Sequence, residues 1–472
     1  MEREQWFIGV ESRGHCYAFL TLLLVGLIVR AVALPLPGTI DVRTFKIWTY
    51  NAAMLGPAQL YGVGGSPPTR RALIYNGETA QVDYPPLALD VLAIVGRGYR
   101  ALFPTFPDGP GLTVAVKLPA VAADFGLTML IFAAVSRLAG AATGQRAALA
   151  YWLNPAVILD GSMLGYIDAL CVLPAVGALM AAAQGIGWVT GGLLALACLT
   201  KPQAILVVPA VTLALFRRNV GGWRAIASAI LAAGLVTSAC VWPVVRAGAF
   251  RNMSVAVGRL VTDDTLSANG ANVWWLVTYV AQAAQSVATT TWMAAVTKPV
   301  EIVSIRSLLA SAGASSSLLM IGAVAGSSWT VVLGVVAWAI WHARRAMDLA
   351  RLAALAAFTV HAYTVLSVQV HENHLFLALP LLAIVATIRP RYWRVLLGVS
   401  AIVALNLNLF YGLGVGVGDA IPRSVTGIDA TVLLSIVNCV ALLWHARAFR
   451  RECAMDADAP LTPVRLQMNA HA

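Results

Sequence analysis

The sequence predicts an all-α fold, a polytopic bundle of transmembrane helices, from three observations. Of 472 residues, 59% are hydrophobic and 11% charged, against roughly 45–50% and 25% in soluble domains. The mean hydropathy is +0.78. The charges are also bunched: 225–245, 265–297, 307–341 and 395–418 hold no Asp, Glu, Lys or Arg, and 147–200 holds only Asp160 and Asp168. Charge-free apolar runs of about 18 or more residues read as membrane spans. The formal charge of +11 does not point to nucleic acid, because the basic residues sit in short clusters between apolar runs, where Lys and Arg mark cytoplasmic loops.

The first apolar run, Tyr17–Leu36, follows Arg3 and Arg13 and reads as a signal-anchor. Arg30 interrupts it and no small-residue cleavage site follows cleanly, which argues against a removed signal peptide. Placing the clusters Arg137–Arg146, Arg217–Arg224, Arg344–Arg351, Arg389–Arg394 and Arg447–Arg451 inside, with the N-terminus, orients the rest. Spans then fall near 17–36, 114–137, 147–163, 168–184, 225–243, 317–342, 351–369, 374–389, 393–412 and 428–446. The run 188–216 is broken by Lys201-Pro202 and suits two half-helices, tolerated where protein receives the freed backbone groups. The total expected is about 10–13 spans. Residues 1–452 form one transmembrane domain, and 453–472 a polar, disordered cytoplasmic tail. The six cysteines show no CxxC spacing and read as small hydrophobes. No internal repeat is visible.

This parity puts 37–112, 160–168, 244–316, 370–374 and 413–427 on the far side. That set gathers Asp41, Asp83, Asp160, Asp168, Asp263, Asp264, His371 and Glu372 on one face. Arginines orient the chain, but acids contribute little to topology, so the acids want another reason. The long loop 37–112 is the catalytic candidate, since loops beyond about 15 residues are usually functional or disordered. Phe45, Trp48, Met54 and Leu55, beside Arg43 and Lys46, predict an interfacial helix. Leu87–Phe103 predicts a second one, with Pro85-Pro86 at its start. Asp41 lies about one turn past the first span. A carboxylate against apolar walls there suits a general base; as a favoured cap residue it equally suits the N-cap of helix 42–55.

Several strings resemble one family, the GT-C glycosyltransferases. Asp41, Trp48 and Asp83-Tyr84-Pro85-Pro86-Leu87 look like the first loop of the dolichyl-phosphate-glucose glucosyltransferases, and Asn154-Pro155-Ala156-Val157-Ile158-Leu159-Asp160 like a later segment of them. Gly161–Asp168 is similar to the WGQID string of bacterial GT-C mannosyltransferase-like proteins, and Leu199-Thr200-Lys201-Pro202-Gln203 to their ALTKPQ. Val370-His371-Glu372-Asn373 resembles the VHEK and HER strings of the two groups, and Ser267–Trp274 the SANAxNxW run of GPI-type mannosyltransferases. The matches span 41–376 in family order, and their mixture suggests a bacterial protein.

The resemblance implies an inverting transfer of a hexose, mannose or glucose, from a polyprenyl-phosphate donor to a hydroxyl of a lipid-linked or glycan acceptor. It implies a plasma-membrane enzyme whose site faces the periplasm or exterior, with Asp41 as base. The residues' own chemistry suits this. His371, beside Glu372 to set its tautomer and charge, and Lys201 at the helix break are placed to meet a leaving phosphate. Asp83, Tyr84 and Asp168 are further substrate-binding candidates. His361 and His374 equally read as structural. Asp263-Asp264 lacks a third ligand in register, so neither metal nor other cofactor is expected. Trp274-Trp275 suits a sugar platform or an interfacial belt. A secondary transporter would need repeated halves and mid-membrane acids, and an O-antigen polymerase or ligase a large late loop.

Overall fold

The computed structural model describes residues 2–64, 70–216, 221–262, 264–287, 289–311, 313, 318–344, 348–415, 423–425 and 427–455. The chain begins with α1 (Glu2–Ala33). The first loop holds α2 (Ile40–Leu55), a hairpin of β1 (Leu73–Tyr75) and β2 (Glu78–Ala80), and α3 (Pro86–Leu102). α4 (Pro110–Ala139) and α5 (Ala141–Trp152) double back at Gly140. Next come α6 (Pro155–Leu164), α7 (Asp168–Ala183), α8 (Gly187–Thr200), α9 (Pro202–Leu215) and α10 (Gly222–Arg246). Four shorter helices follow: α11 (Phe250–Thr262), α12 (Val273–Val287), α13 (Trp292–Thr297) and α14 (Ile305–Ser311). The chain continues with α15 (Leu318–Ala343), α16 (Leu349–Leu366), α17 (His374–Ile388) and α18 (Trp393–Tyr411). β3 (Ser424–Val425), β4 (Ile428–Asp429) and α19 (Ala430–Met455) close the described chain.

Among the described residues seven helices, α1, α4, α10, α15, α16, α18 and α19, are long and apolar enough to cross a membrane, and α6 to α9 and α17 are shorter apolar helices. The chain is therefore an integral, all-α membrane protein. Helices α10 and α15 turn Ile230, Leu231, Leu235, Val331 and Leu333 outward, as expected where hydrocarbon replaces water. Helices α16 and α17 are buried nearly all round, and small residues such as Ala353, Ala354, Ala356 and Ala357 let neighbours approach them closely. The same logic is sharpest between α8 and α10. A Cβ at Gly187 or Gly191 would stand 2.0 Å from Ala225 O or 1.8 Å from Ala229 O, so this contact needs glycine.

Arg30, which interrupts the first apolar run, is buried and partnered. Its Nε lies 3.8 Å from Asp124 Oδ2 and its guanidinium 3.7 Å over the Trp152 ring, while Tyr151 donates to Asp124 at 2.5 Å. Charges inside a bundle are tolerated in such pairings. The break at Lys201-Pro202 falls between α8 and α9 as expected.

The structure departs from or adds to the expectations in four places. The span placed at 147–163 is two pieces: α5 ends at Trp152, and Asn154 caps α6, accepting from Ala156 N, because Pro155 cannot continue a helix. The first loop contains the β1–β2 hairpin, turned by Asn76 and Gly77 at φ 50° and 77°. The third concerns α2, placed in the lipid interface: Phe45 and Trp48 are 2% and 1% exposed, packed on the Tyr84 ring at 6.1 and 5.5 Å. Helix α19 runs to Met455, so 453–455 are helical, and residues 456–472 of the expected tail lie outside the described residues.

Candidate functional site

The site is assembled where the first loop meets the ends of α6, α8 and α16. Asp41 stands in the first turn of α2, and Thr39, not Asp41, is the cap: its hydroxyl accepts from Asp41 N at 3.3 Å. The Asp41 carboxyl is thereby free for other work. Burial first, then the charge of Glu372, push its pKa from 3.8 to about 7; Lys201 opposes this, and Asp83 and Asp168 add to it. These groups come from positions 41, 83, 168, 201 and 372, so the expected residues do converge. Asp83 is also raised, chiefly by burial, with Arg70, its own backbone N–H, His371 and Arg259 opposing. Tyr84 is raised by burial too, and Tyr61 donates to its carbonyl at 2.8 Å.

Asp168 is the anchored member. Lys201 Nζ lies 2.7 Å and Gln203 Nε2 2.6 Å from its Oδ1, and Asn373 Nδ2 2.8 Å from its Oδ2. Lys201, expected to reach a phosphate, is instead buried and committed to Asp168. It delivers a fixed positive charge to the site. The helix break makes this possible, since Lys201 has extended backbone, φ −152°, ψ 122°, between α8 and α9.

The segment 366–373 carries the remaining groups and is pinned by the Leu266–Trp274 stretch. Ala268 N donates to Val370 O at 3.0 Å, Gln369 N to Leu266 O at 3.1 Å and Trp274 Nε1 to Leu366 O at 2.8 Å. Glu372 is buried and accepts from Tyr166 Oη at 2.5 Å. Its nearer partner is therefore Tyr166. His371 Nδ1 lies 4.0 Å away, beyond hydrogen-bond reach, so Glu372 does not fix the His371 tautomer as expected. The His371 side chain is 49% exposed, open to a ligand arriving from outside the chain.

Other sequence candidates have structural tasks. His361 Nε2 meets Asn438 Oδ1 at 2.9 Å and its Nδ1 meets His445 at 3.1 Å. His374 stacks on Tyr363. Trp275 is buried and bonded to Thr431, which removes it as a sugar platform. Asp264 pairs with Arg306, and Asp263 lies outside the described residues. Among the described residues no group of three or more His, Cys, Asp or Glu is arranged to hold a metal. Asp160 is fully buried with neither carboxyl oxygen hydrogen-bonded, while its carbonyl accepts from Gly165 N and Tyr166 N.

Sequence reasoning missed Tyr166, Gln203 and Asn373 as individual site residues. All three lie within strings that were singled out, Gly161–Asp168, Leu199–Gln203 and Val370–Asn373, so the signal was present in the strings. Lys117 had no signal, being one cation within a predicted span.

No family model and no curated protein sequence matches the chain. Among solved structures the chain is similar to ArnT from Cupriavidus metallidurans in the apo state, at 15% identity and TM-score 0.49, covering 94% of this chain and 72% of that one. ArnT bound to undecaprenyl phosphate gives 16%, 0.48, 92% and 72%. The Archaeoglobus fulgidus oligosaccharyltransferase tethered to an acceptor peptide gives 9%, 0.35, 93% and 55%.

Proposed function

We propose that the chain is a GT-C-type glycosyltransferase that moves a hexose, mannose or glucose, from a polyprenyl-phosphate donor to an acceptor hydroxyl outside the cytoplasm, with inversion. The carrying observation is Asp41, a carboxyl at the mouth of the first span whose pKa is about 7. A base is most effective when its pKa lies near working pH. Asp41 takes the proton of the acceptor hydroxyl as its oxygen attacks the anomeric carbon. The anomeric carbon–oxygen bond to phosphate breaks, and its electron pair leaves with the polyprenyl phosphate.

The other groups divide the work. His371, half exposed at the rim, meets the departing phosphate charge. Lys201, held by Asp168, supplies positive field from behind and keeps Asp41 from titrating still higher. Asp83 and Tyr84 bind substrate hydroxyls, and Glu372 raises the basicity of Asp41. Asp168, buried and held by three donors, positions Lys201 instead of touching substrate. The apolar outward faces of the surrounding helices let a lipid-tailed donor approach from the bilayer. The reading places the protein in a bacterial plasma membrane with this site on the periplasmic or exterior side.

The test supplies membranes carrying the wild type or Asp41→Asn with polyprenyl-phosphate glucose and polyprenyl-phosphate mannose. One donor is consumed by the wild type and neither by the variant. Equal consumption by both proteins would remove Asp41 from catalysis, and no consumption of either donor by the wild type would reject the hexose reading.

A further inference from the structure

Lys117 is a cation with no place in the chemistry above. It sits on α4, is 0% exposed, and all three of its hydrogen-bond acceptors are main-chain carbonyls: Leu36 O at 2.6 Å, Met163 O at 2.7 Å and Ser162 O at 3.3 Å. These carbonyls lie just past the end of α1 and in the last turn of α6. Helix C-termini leave carbonyls unpaired and carry partial negative charge. The Lys117 Nζ therefore ties the ends of two helices together where water has no room. Space around it is closed: a Cβ at Gly165 would stand 2.8 Å from Lys117 Cε.

The two ends continue directly into the site. Thr39 N and Oγ1 both donate to Leu164 O, at 3.0 and 3.3 Å, and Thr39 caps the helix whose first turn carries Asp41. On the other side the chain turns at Gly165 into Tyr166, which holds Glu372, and Asp168, which holds Lys201. A third segment joins at the same place, with Gly38 N donating to Gly414 O at 2.8 Å. One ammonium thus stands between the segment that carries the base and the segment that carries its charged neighbours.

We propose that Lys117 is a positioning residue: its ammonium sets the spacing between Asp41 and the Tyr166–Asp168 segment, on which base catalysis by Asp41 depends. The inference rests on the proposed function for its catalytic consequence, whereas its structural half stands alone. A misplacement of about 1 Å costs on the order of 10²-fold in rate, so the effect belongs in kcat more than in donor binding.

The test uses the full chain in lipid nanodiscs, as wild type, Lys117→Met and Lys117→Gln, the glutamine keeping two N–H donors without the charge. Hydrogen exchange is followed peptide by peptide, and transfer is measured against donor concentration. In Lys117→Met, amides of 36–42 and 160–168 exchange at least about tenfold faster while α16 and α17 are unchanged. kcat falls about 10²-fold with KM within about threefold, and Lys117→Gln recovers part of both. Unchanged exchange in the two segments, a uniform rise across the chain, or a KM rise at constant kcat would overturn the proposal. So would failure of Lys117→Gln to fold, which would make the lysine a prop of the whole bundle. Faster exchange in both segments of a protein whose wild type transfers no sugar would leave the positioning intact and sink the enzymatic reading.

Discussion

The pH dependence of transfer is the sharpest consequence of the site. Asp41 must be ionised to take a proton, and its pKa stands at about 7 against 3.8 for an ordinary aspartate. At pH 5 about 1% of Asp41 is therefore ionised, where an unperturbed carboxyl would be about 94% ionised. kcat/KM should climb nearly tenfold per pH unit up to about 7 and level off above it. The perturbation is Glu372→Gln. It removes the second-largest cause of the shift while burial, the largest, remains, and the amide still accepts from Tyr166. The acid limb should move down by about one pH unit, a gain of about tenfold at pH 5, without falling to 3.8. The assay is initial rate at low donor concentration from pH 4.5 to 9 with the purified protein in nanodiscs. A wild-type limb near pH 4, or a limb that ignores Glu372→Gln, would refute the electrostatic account.

Three further outcomes follow from the same contacts. Lys201→Met leaves Asp168 buried beside two amides and should destabilise the protein by about 3–5 kcal/mol, with Lys201→Met/Asp168→Asn recovering much of it in thermal melts. Because the Asp41 pKa is raised on folding, its contribution to stability is full below pH 3.8 and is lost as pH rises through 7. Asp41→Asn should thus melt with the wild type at pH 4 and above it at pH 8; the shift converts to at most about 4 kcal/mol, cut by the site's partial exposure to on the order of 1–2. Equal melting at both values would show that Asp41 is not strained by burial. Gly191→Leu should separate α8 from α10, since even a Cβ there meets Ala229 O at 1.8 Å, at a cost of about 1–3 kcal/mol or more readable as a lowered melting temperature.

Helices announced by charge-free apolar runs, such as α10 and α15, were legible because membrane crossing is a matter of length and composition. So was the break at Lys201-Pro202. The break at Asn154-Pro155 carried the same proline signal but was hidden by apolar residues on both sides. Asn76-Gly77, the strongest local sign of a hairpin, was masked by a Gly/Pro/Arg-rich setting. Within the site, the gathering of Asp41, Asp83, Asp168 and Glu372 in one place was anticipated by parity. The bonding among them was not: Asp168 meets Asn373 across 205 positions and Tyr166 meets Glu372 across 206. Lys201 looked free because a half-helix end usually faces solvent or headgroups, whereas here it points at Asp168. Asp41 and Thr39 both suit a cap, and only the backbone around Leu164 decides for Thr39.

A single turnover measures the central claim, that the Asp41 carboxylate is the base. Wild type and Asp41→Asn are loaded with polyprenyl-phosphate hexose, donor binding is confirmed in both, and release of polyprenyl phosphate is followed after acceptor is added at pH 8. The account predicts equal donor loading and a rate lower by about 10²–10⁴-fold in the variant, with the wild-type product inverted at the anomeric carbon. Release from Asp41→Asn at the wild-type rate would contradict it.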